Sequence, residues 1–300
     1  MVQKRENDSM NTATWVVQSN KIKTSQTLPL IEALRRLGEP FVDVAIDTES
    51  GLIVPPDAAL GKNLIPYGST HLVKVAQAEG WQQLYFDDAT FRVDAWLRSH
   101  PAMLNADAQV VTLTEAKALA HTRPQWFIRP LHDLKEFAGH VIGGAEMTAW
   151  VTQLEVGDCE INGSCLVALS EPKTIQMEWR YFVVGGRIVT GSAYRFKGQP
   201  HQKRELDADV LTEAQALADV WLPHPCCCMD VALCEGLVRV VEFNGLNASG
   251  FYDHDIEAFA RAVSDYARRN TPNAELTRRS TAHNDGLAAS GRVERRVRRK

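Results

Sequence analysis

Long apolar runs, paired-cysteine motifs and glycine-rich dinucleotide fingerprints are all missing from this chain, and each absence removes a class of function. No stretch approaches the roughly 18 apolar residues of a membrane-spanning helix. The opening MVQKRENDSMN is polar and lacks the apolar core of a secretory signal. The six cysteines (Cys159, Cys165, Cys226, Cys227, Cys228 and Cys234) show no CxxC spacing. A disulfide framework belongs to small secreted chains, and this chain has 300 residues. GxGxxG does not occur, so no dinucleotide-binding fingerprint is present, and no segment repeats another. These absences read as a cytoplasmic, reduced protein with no membrane partner.

What is present suits a folded enzyme-sized body. A hydrophobic content of 45% supports a sizeable core, and 23% charged residues is ordinary for a globular chain. The net charge of −4 hides an asymmetry. Residues 274–300 carry eight Arg and Lys against three Asp and Glu, leaving 25 basic and 34 acidic residues elsewhere. An acidic body argues against nucleic-acid binding, except by the basic tail. Residues 1–12 and 271–300 are polar and aperiodic and read as disordered ends.

Between those ends, residues 13–111 read as a small parallel α/β (Rossmann-like) domain. WVVQ (15–18), FVDVAI (41–46) and NLIPYGS (63–69) are strands. Thr27 caps a helix through LPLIEALRRLG with Gly38 as its stop, and a second helix runs from about His71 to Glu79. Residues 112–270 form a second, α+β domain. Its elements are a helix LTEAKALAH, the strands PQWFIRP and GSCLVALSEP, a hairpin about Gly185-Gly186, a helix TEAQALADVWL, the strands CCCMDVAL and VRVVEFN, and a helix DIEAFARAVSDYARR.

The strand VRVVEFN ends with Glu242 and Asn244 two positions apart, hence on one face. A three-residue loop, Cys234-Glu235-Gly236, would pair Leu233 with Leu237, Asp230 with Val240 and Cys228 with Glu242. That register turns Asp230, Glu242 and Asn244 together; a two-residue loop would send Asp230 to the other face. Three converging oxygen donors suit a hard divalent cation. Mg²⁺ keeps phosphates as further ligands, and basic residues recur at strand ends to hold them: Arg129, Lys135, Arg180 and Arg195. Arg180 also shares a strand face with Glu178, so an exposed ion pair between them is the structural alternative. The cysteine triplet reads as core packing.

Taken together, FIRPLHDLKEFAG, EWRYFVVGGRIV and MDVAL…VVEFNGLNASGFYDHD resemble blocks of the ATP-grasp superfamily, and most of all a bacterial and phage clade named for two arginines and a lysine. The resemblance covers about residues 112–270 and implies an ATP-grasp fold following the small α/β domain. It implies a carboxylate–amine ligase, using ATP and Mg²⁺ (with Mn²⁺ as a substitute) and acting through an acyl phosphate. Asp230, Glu242 and Asn244 would hold the metal. Arg129, where many members carry Lys, and Lys135 would hold phosphate oxygens, and GHVIGGAEM (139–147) would supply either a glycine-rich loop over them or a plain Gly-Gly turn. The strand end at Ser170 and Glu171 would hold adenine and ribose. Arg180 or Arg195 would bind the substrate carboxylate and stabilise the acyl phosphate, and NASGFYD (247–253) would line the acceptor site. The implied partners are small-molecule or peptide carboxylates and amines. Two alternatives stay open: phosphoryl transfer to an alcohol, and a nucleotide-binding module without catalysis.

Overall fold

The computed structural model of the chain describes residues 13–20, 24–47, 50–55, 61–132, 137–156, 161–204 and 207–271. The expected disordered ends and Lys135 lie outside the described residues.

The first sheet has the order β3-β2-β1-β4. Its strands are β1 (Thr14–Gln18), β2 (Phe41–Ile46), β3 (Ile53–Val54) and β4 (Leu64–Tyr67). β1 runs parallel to both β2 and β4, and β3 is antiparallel to β2. Helix α1 (Thr24–Leu37) crosses from β1 to β2 and stops at Gly38, whose φ of 67° suits glycine. It begins before Thr27, which is buried inside the helix instead of capping it. Helix α2 (Thr70–Glu79) is capped by Ser69, whose hydroxyl accepts from the Leu72 N–H.

The remaining strands make two antiparallel sheets. One has the order β5-β8-β6-β7, from β5 (Gln109–Thr112), β6 (Gln125–Pro130), β7 (His140–Gly143) and β8 (Leu166–Ser170). Helices α4 (Leu113–Leu119) and α5 (Gly144–Val156) cover it through a core of Leu113, Trp126, Ile128, Met147 and Leu169. The other has the order β11-β10-β9-β12-β13. Its strands are β9 (Ile175–Val184), β10 (Arg187–Phe196), β11 (Gln199–Lys203), β12 (Cys227–Cys234) and β13 (Leu237–Asn244). Helices α3 (Val93–Ser99) and α6 (Ala208–Val220) pack against one face.

Gly185 and Gly186, at φ 61° and 80°, form the expected hairpin turn between β9 and β10. Gly143 and Gly144 do not form a glycine loop. Gly143 ends β7, and Gly144 opens α5 so close to the preceding helix that a Cβ there would lie 2.4 Å from the Ala120 carbonyl oxygen. Close packing is what that glycine provides.

One core joins distant parts of the chain. Trp15, Leu34 and Tyr67 of the first sheet and its helix pack with Phe182, Cys226, Cys228 and Phe259. The Trp15 indole donates to Ser264 in α7 (Ile256–Asn270) at 2.9 Å. All three triplet cysteines are buried, and burial pushes the Cys226 thiol up to about 12. They are packing residues, since the thiolate is the reactive form. Among the described residues no helix is long and apolar enough to cross a membrane.

Candidate active site

β12 and β13 meet in a two-residue turn rather than the expected three-residue one. Cys234 pairs with Leu237, while Glu235 and Gly236 carry φ of 52° and 77°. Leu233 then faces Val238 and Val231 faces Val240. In an unbroken ladder this register would turn Glu242 into the core with Val238 and Val240. A β-bulge intervenes: Val241 drops out of the ladder, so Asp230 pairs with Glu242 and Cys228 with Asn244. The phase changes by one residue, Phe243 takes the core position, and both acidic side chains emerge on the same face. Asp230, Glu242 and Asn244 converge as expected, by a different route.

β9 lies on the other side of β12, with Arg180 directly opposite Asp230. The guanidinium grips the carboxylate with both arms, Nε to Oδ1 at 2.8 Å and Nη2 to Oδ2 at 2.7 Å, while Nη1 donates to the Gly250 carbonyl at 3.3 Å. Asp230 is 1% exposed. Burial pushes its carboxyl up, and Arg180 pulls it back toward the ionised form. Arg180 lies 5.9 Å from the Tyr194 ring centre and 5.2 Å from that of Tyr252, and those two rings stack 4.9 Å apart. The alternative, an exposed pair of Arg180 with Glu178, does not form. Glu178 is buried and accepts from the Tyr194 hydroxyl at 2.7 Å and from Arg195 Nη1 at 3.3 Å. The direct register opposite Asp230 gave Arg180 a nearer and more buried partner.

Arg129 reaches this face from the other antiparallel sheet. Its Nη2 donates to Glu242 Oε2 at 2.9 Å, its guanidinium lies 5.2 Å from the Trp96 ring centre, and its buried Nε has no partner. Asn244 donates its amide to Glu242 Oε1 at 3.1 Å, leaving its own buried Oδ1 unpartnered. Between the sheets lies a cleft of about 590 Å³, lined by Phe127, Arg129, Lys173, Arg180, Arg195, Asp230, Glu242 and Tyr252 among others. That volume is typical of a small-molecule site.

The adenine end departs from expectation. Ser170 is buried with a partnerless hydroxyl. Glu171 points away: its carboxylate pairs with Arg123, and its N–H donates to Asp107 Oδ2 at 3.0 Å. Asp107 also holds Lys173 at 2.9 Å. Tyr252, from the NASGFYD segment expected at the acceptor site, lines the cleft, and so do Lys173, His132 and Tyr194, which were not singled out as site residues. Only the position of Lys173 beside Pro172 in the strand-end hinge could have flagged any of them.

Among the described residues no cluster of three or more His, Cys, Asp or Glu is arranged to hold a metal. A cation on this face would have the Asp230 and Glu242 carboxylates and the Asn244 carboxamide to draw on. The partnerless Oδ1 beside two carboxylates fits such a role.

Two antiparallel sheets closing on a cleft, with an Asp–Glu–Asn face on one sheet and Arg129 reaching it from the other, is the architecture of an ATP-grasp protein. Residues 69–263 match the ATP-grasp domain of family 3 in the clade named for two arginines and a lysine, and the chain belongs to that family. Solved structures of ATP-grasp ligases share the fold. The D-alanine-D-alanine ligase from Coxiella burnetii matches at TM-score 0.59 and 11% identity, over 92% of this chain and 99% of that one. The D-cycloserine synthetase DcsG matches at TM-score 0.56 and 14% identity, over 85% and 99%. A RimK domain ATP-grasp protein from Sphaerobacter thermophilus matches at TM-score 0.55 and 14% identity, over the same shares. No curated protein sequence matches significantly.

Proposed function

We propose that this protein is an ATP- and Mg²⁺-dependent ligase that joins a carboxylate to an amine through an acyl phosphate. The observation that carries the reading is the shared face of Asp230, Glu242 and Asn244, set against Arg129 in a ligand-sized cleft. Asp230, Glu242 and Asn244 Oδ1 would hold the cation. When bound, it offsets phosphate charge as the γ-phosphoryl group passes to the substrate carboxylate.

The chain's own residues divide the remaining work. Arg129, with an unused Nε, takes phosphate oxygens, and Lys135 is the candidate for a second contact. Adenine would sit at the Phe127 and Val241 end of the cleft, with Ser170 behind it in a water-sized cavity that shares Phe127, Arg129 and Val241. The Glu171 N–H is committed to Asp107, so ring contacts fall to the neighbouring carbonyls. Arg195, half exposed and steadied by Glu178, receives the substrate carboxylate at the mouth. Arg180 sits deeper, where its planar fork stabilises the acyl phosphate and then the oxyanion that forms as the amine attacks. Amide formation releases phosphate, and the stacked rings of Tyr194 and Tyr252 beside Arg180 limit access of water.

The test is incubation of the full chain with ATP, Mg²⁺ and a panel of amino acids, peptides and proteins. ADP release with an amide product supports the ligase. A phosphate ester would replace it with phosphoryl transfer, and ADP release with neither product would reduce it to an ATPase.

A further inference from the structure

The two carboxylates assigned to the cation are already engaged by cations of the chain itself. Both Asp230 oxygens face the Arg180 fork, and Glu242 Oε2 faces Arg129. Glu242 Oε1 accepts from Asn244, so Asn244 Oδ1 is the one donor of the set without a partner among the described residues. These contacts are largely removed from water: the side chains of Arg180, Asp230 and Arg129 are 11%, 2% and 12% exposed.

We propose that Arg180 and Arg129 stand in for the divalent cation in the nucleotide-free protein, so that a bare cation is excluded and enters only together with nucleotide. The inference rests on the metal assignment above. Two guanidinium groups carry the same charge as one divalent ion, so the exchange leaves the charge on Asp230 and Glu242 balanced. The guanidinium groups decide whether it can happen. A bare cation would displace them into a cleft with no new partner, and an uncompensated buried charge is expensive. A nucleotide brings phosphate oxygens, to which a guanidinium fork is well matched. The spare Arg129 Nε is one donor ready for them. By linkage, nucleotide then raises cation affinity and cation raises nucleotide affinity by the same factor. The arginines thereby act as positioning residues in the resting protein; in the loaded one Arg129 takes the nucleotide phosphates and Arg180 the phosphoryl group in transfer.

The experiment uses Mn²⁺ alone, followed by electron paramagnetic resonance and calorimetry on the full chain without nucleotide. Wild type should bind it at least about tenfold more weakly than Arg180→Met, a factor within the usual range of coupling between sites. Adding Glu242→Gln to Arg180→Met should remove the gained binding, which places the ion on this face. Arg129→Met supplies a second route to the same gain should Arg180→Met fail to fold, as judged by its melting transition. Tight Mn²⁺ binding to wild type that Glu242→Gln abolishes would overturn the proposal, as would folded arginine variants with no gain. No turnover is involved, so a missing ligase activity would leave the titration interpretable.

Discussion

Asp230 faces Glu242 because Val241 is bulged out of the β12–β13 ladder. The extra residue moves the strand from core-facing at Val238 and Val240 to cleft-facing at Glu242, with Asn244 buried beside it on the same face, while Phe243 keeps the core filled. A bulge that re-aims side chains beside a site is a recurrent device. Here it places two carboxylates and a carboxamide on one surface.

Glu242→Gln tests that surface. The volume is almost unchanged and Arg129 keeps a neutral acceptor, so stability should fall by only about 1 kcal/mol. ATP turnover should fall by about 100-fold or more, as a charge leaves the cation set. Steady-state ADP release with a melting curve separates the two effects, and wild-type turnover would remove Glu242 from the metal assignment.

Arg180→Lys keeps the charge and loses the fork. Were Arg180 in an exposed pair with Glu178, the change would be nearly silent. The two-armed grip on buried Asp230 makes it consequential. kcat should fall about 100-fold with KM for ATP nearly retained, since the lost contact is made chiefly in the transition state. Loss of ATP affinity instead would assign Arg180 to the nucleotide phosphates from the outset.

Asp107→Ala probes the hinge. Asp107 ties down the Glu171 N–H and Lys173, so its loss frees the end of β8 beside the cleft. The expected result is a KM for ATP raised by about tenfold with kcat little changed, the mark of lost uniform binding. An unchanged KM would show that the hinge holds its shape without this clamp.

His254 carries a pH signature. Its Nδ1 accepts from the Tyr252 N–H at 2.9 Å, so Nε2 bears the proton and donates to the Arg180 carbonyl at 3.2 Å. Burial first, with the nearby Arg180 charge, pushes the imidazole down to about 4. The unfolded histidine titrates near 6.5, so the unfolded state binds the extra proton between those values. Stability is complete above about pH 6.5 and is lost as pH falls toward 4, by up to about 3 kcal/mol from this group. Urea unfolding across that window should show the loss, and His254→Gln should flatten it. Buried His100 and half-buried His224 are also shifted down and remain in both proteins, so the difference between the two profiles isolates His254.

The strand pattern, the Gly38 and Gly185-Gly186 punctuation, and the Asp–hairpin–Glu-x-Asn block were legible in the sequence. Each depends on local chemistry: period-2 apolarity, tolerance of positive φ, and oxygen donors spaced by two. The bulge was not legible, because VRVVEFN fits an unbroken strand equally well until Phe243 must find the core. Nor was the partner of Arg180, since strand order brings β12 beside β9 and makes Asp230 nearer than Glu178. The same holds for Glu171, drawn outward by Arg123 and Asp107 from segments distant in the chain. The sequence alone determined which chemical groups are available and which neighbours share a face. Which charge meets which was decided only when the sheets packed, because a buried ion takes whatever partner the fold brings within reach, whatever its distance along the chain.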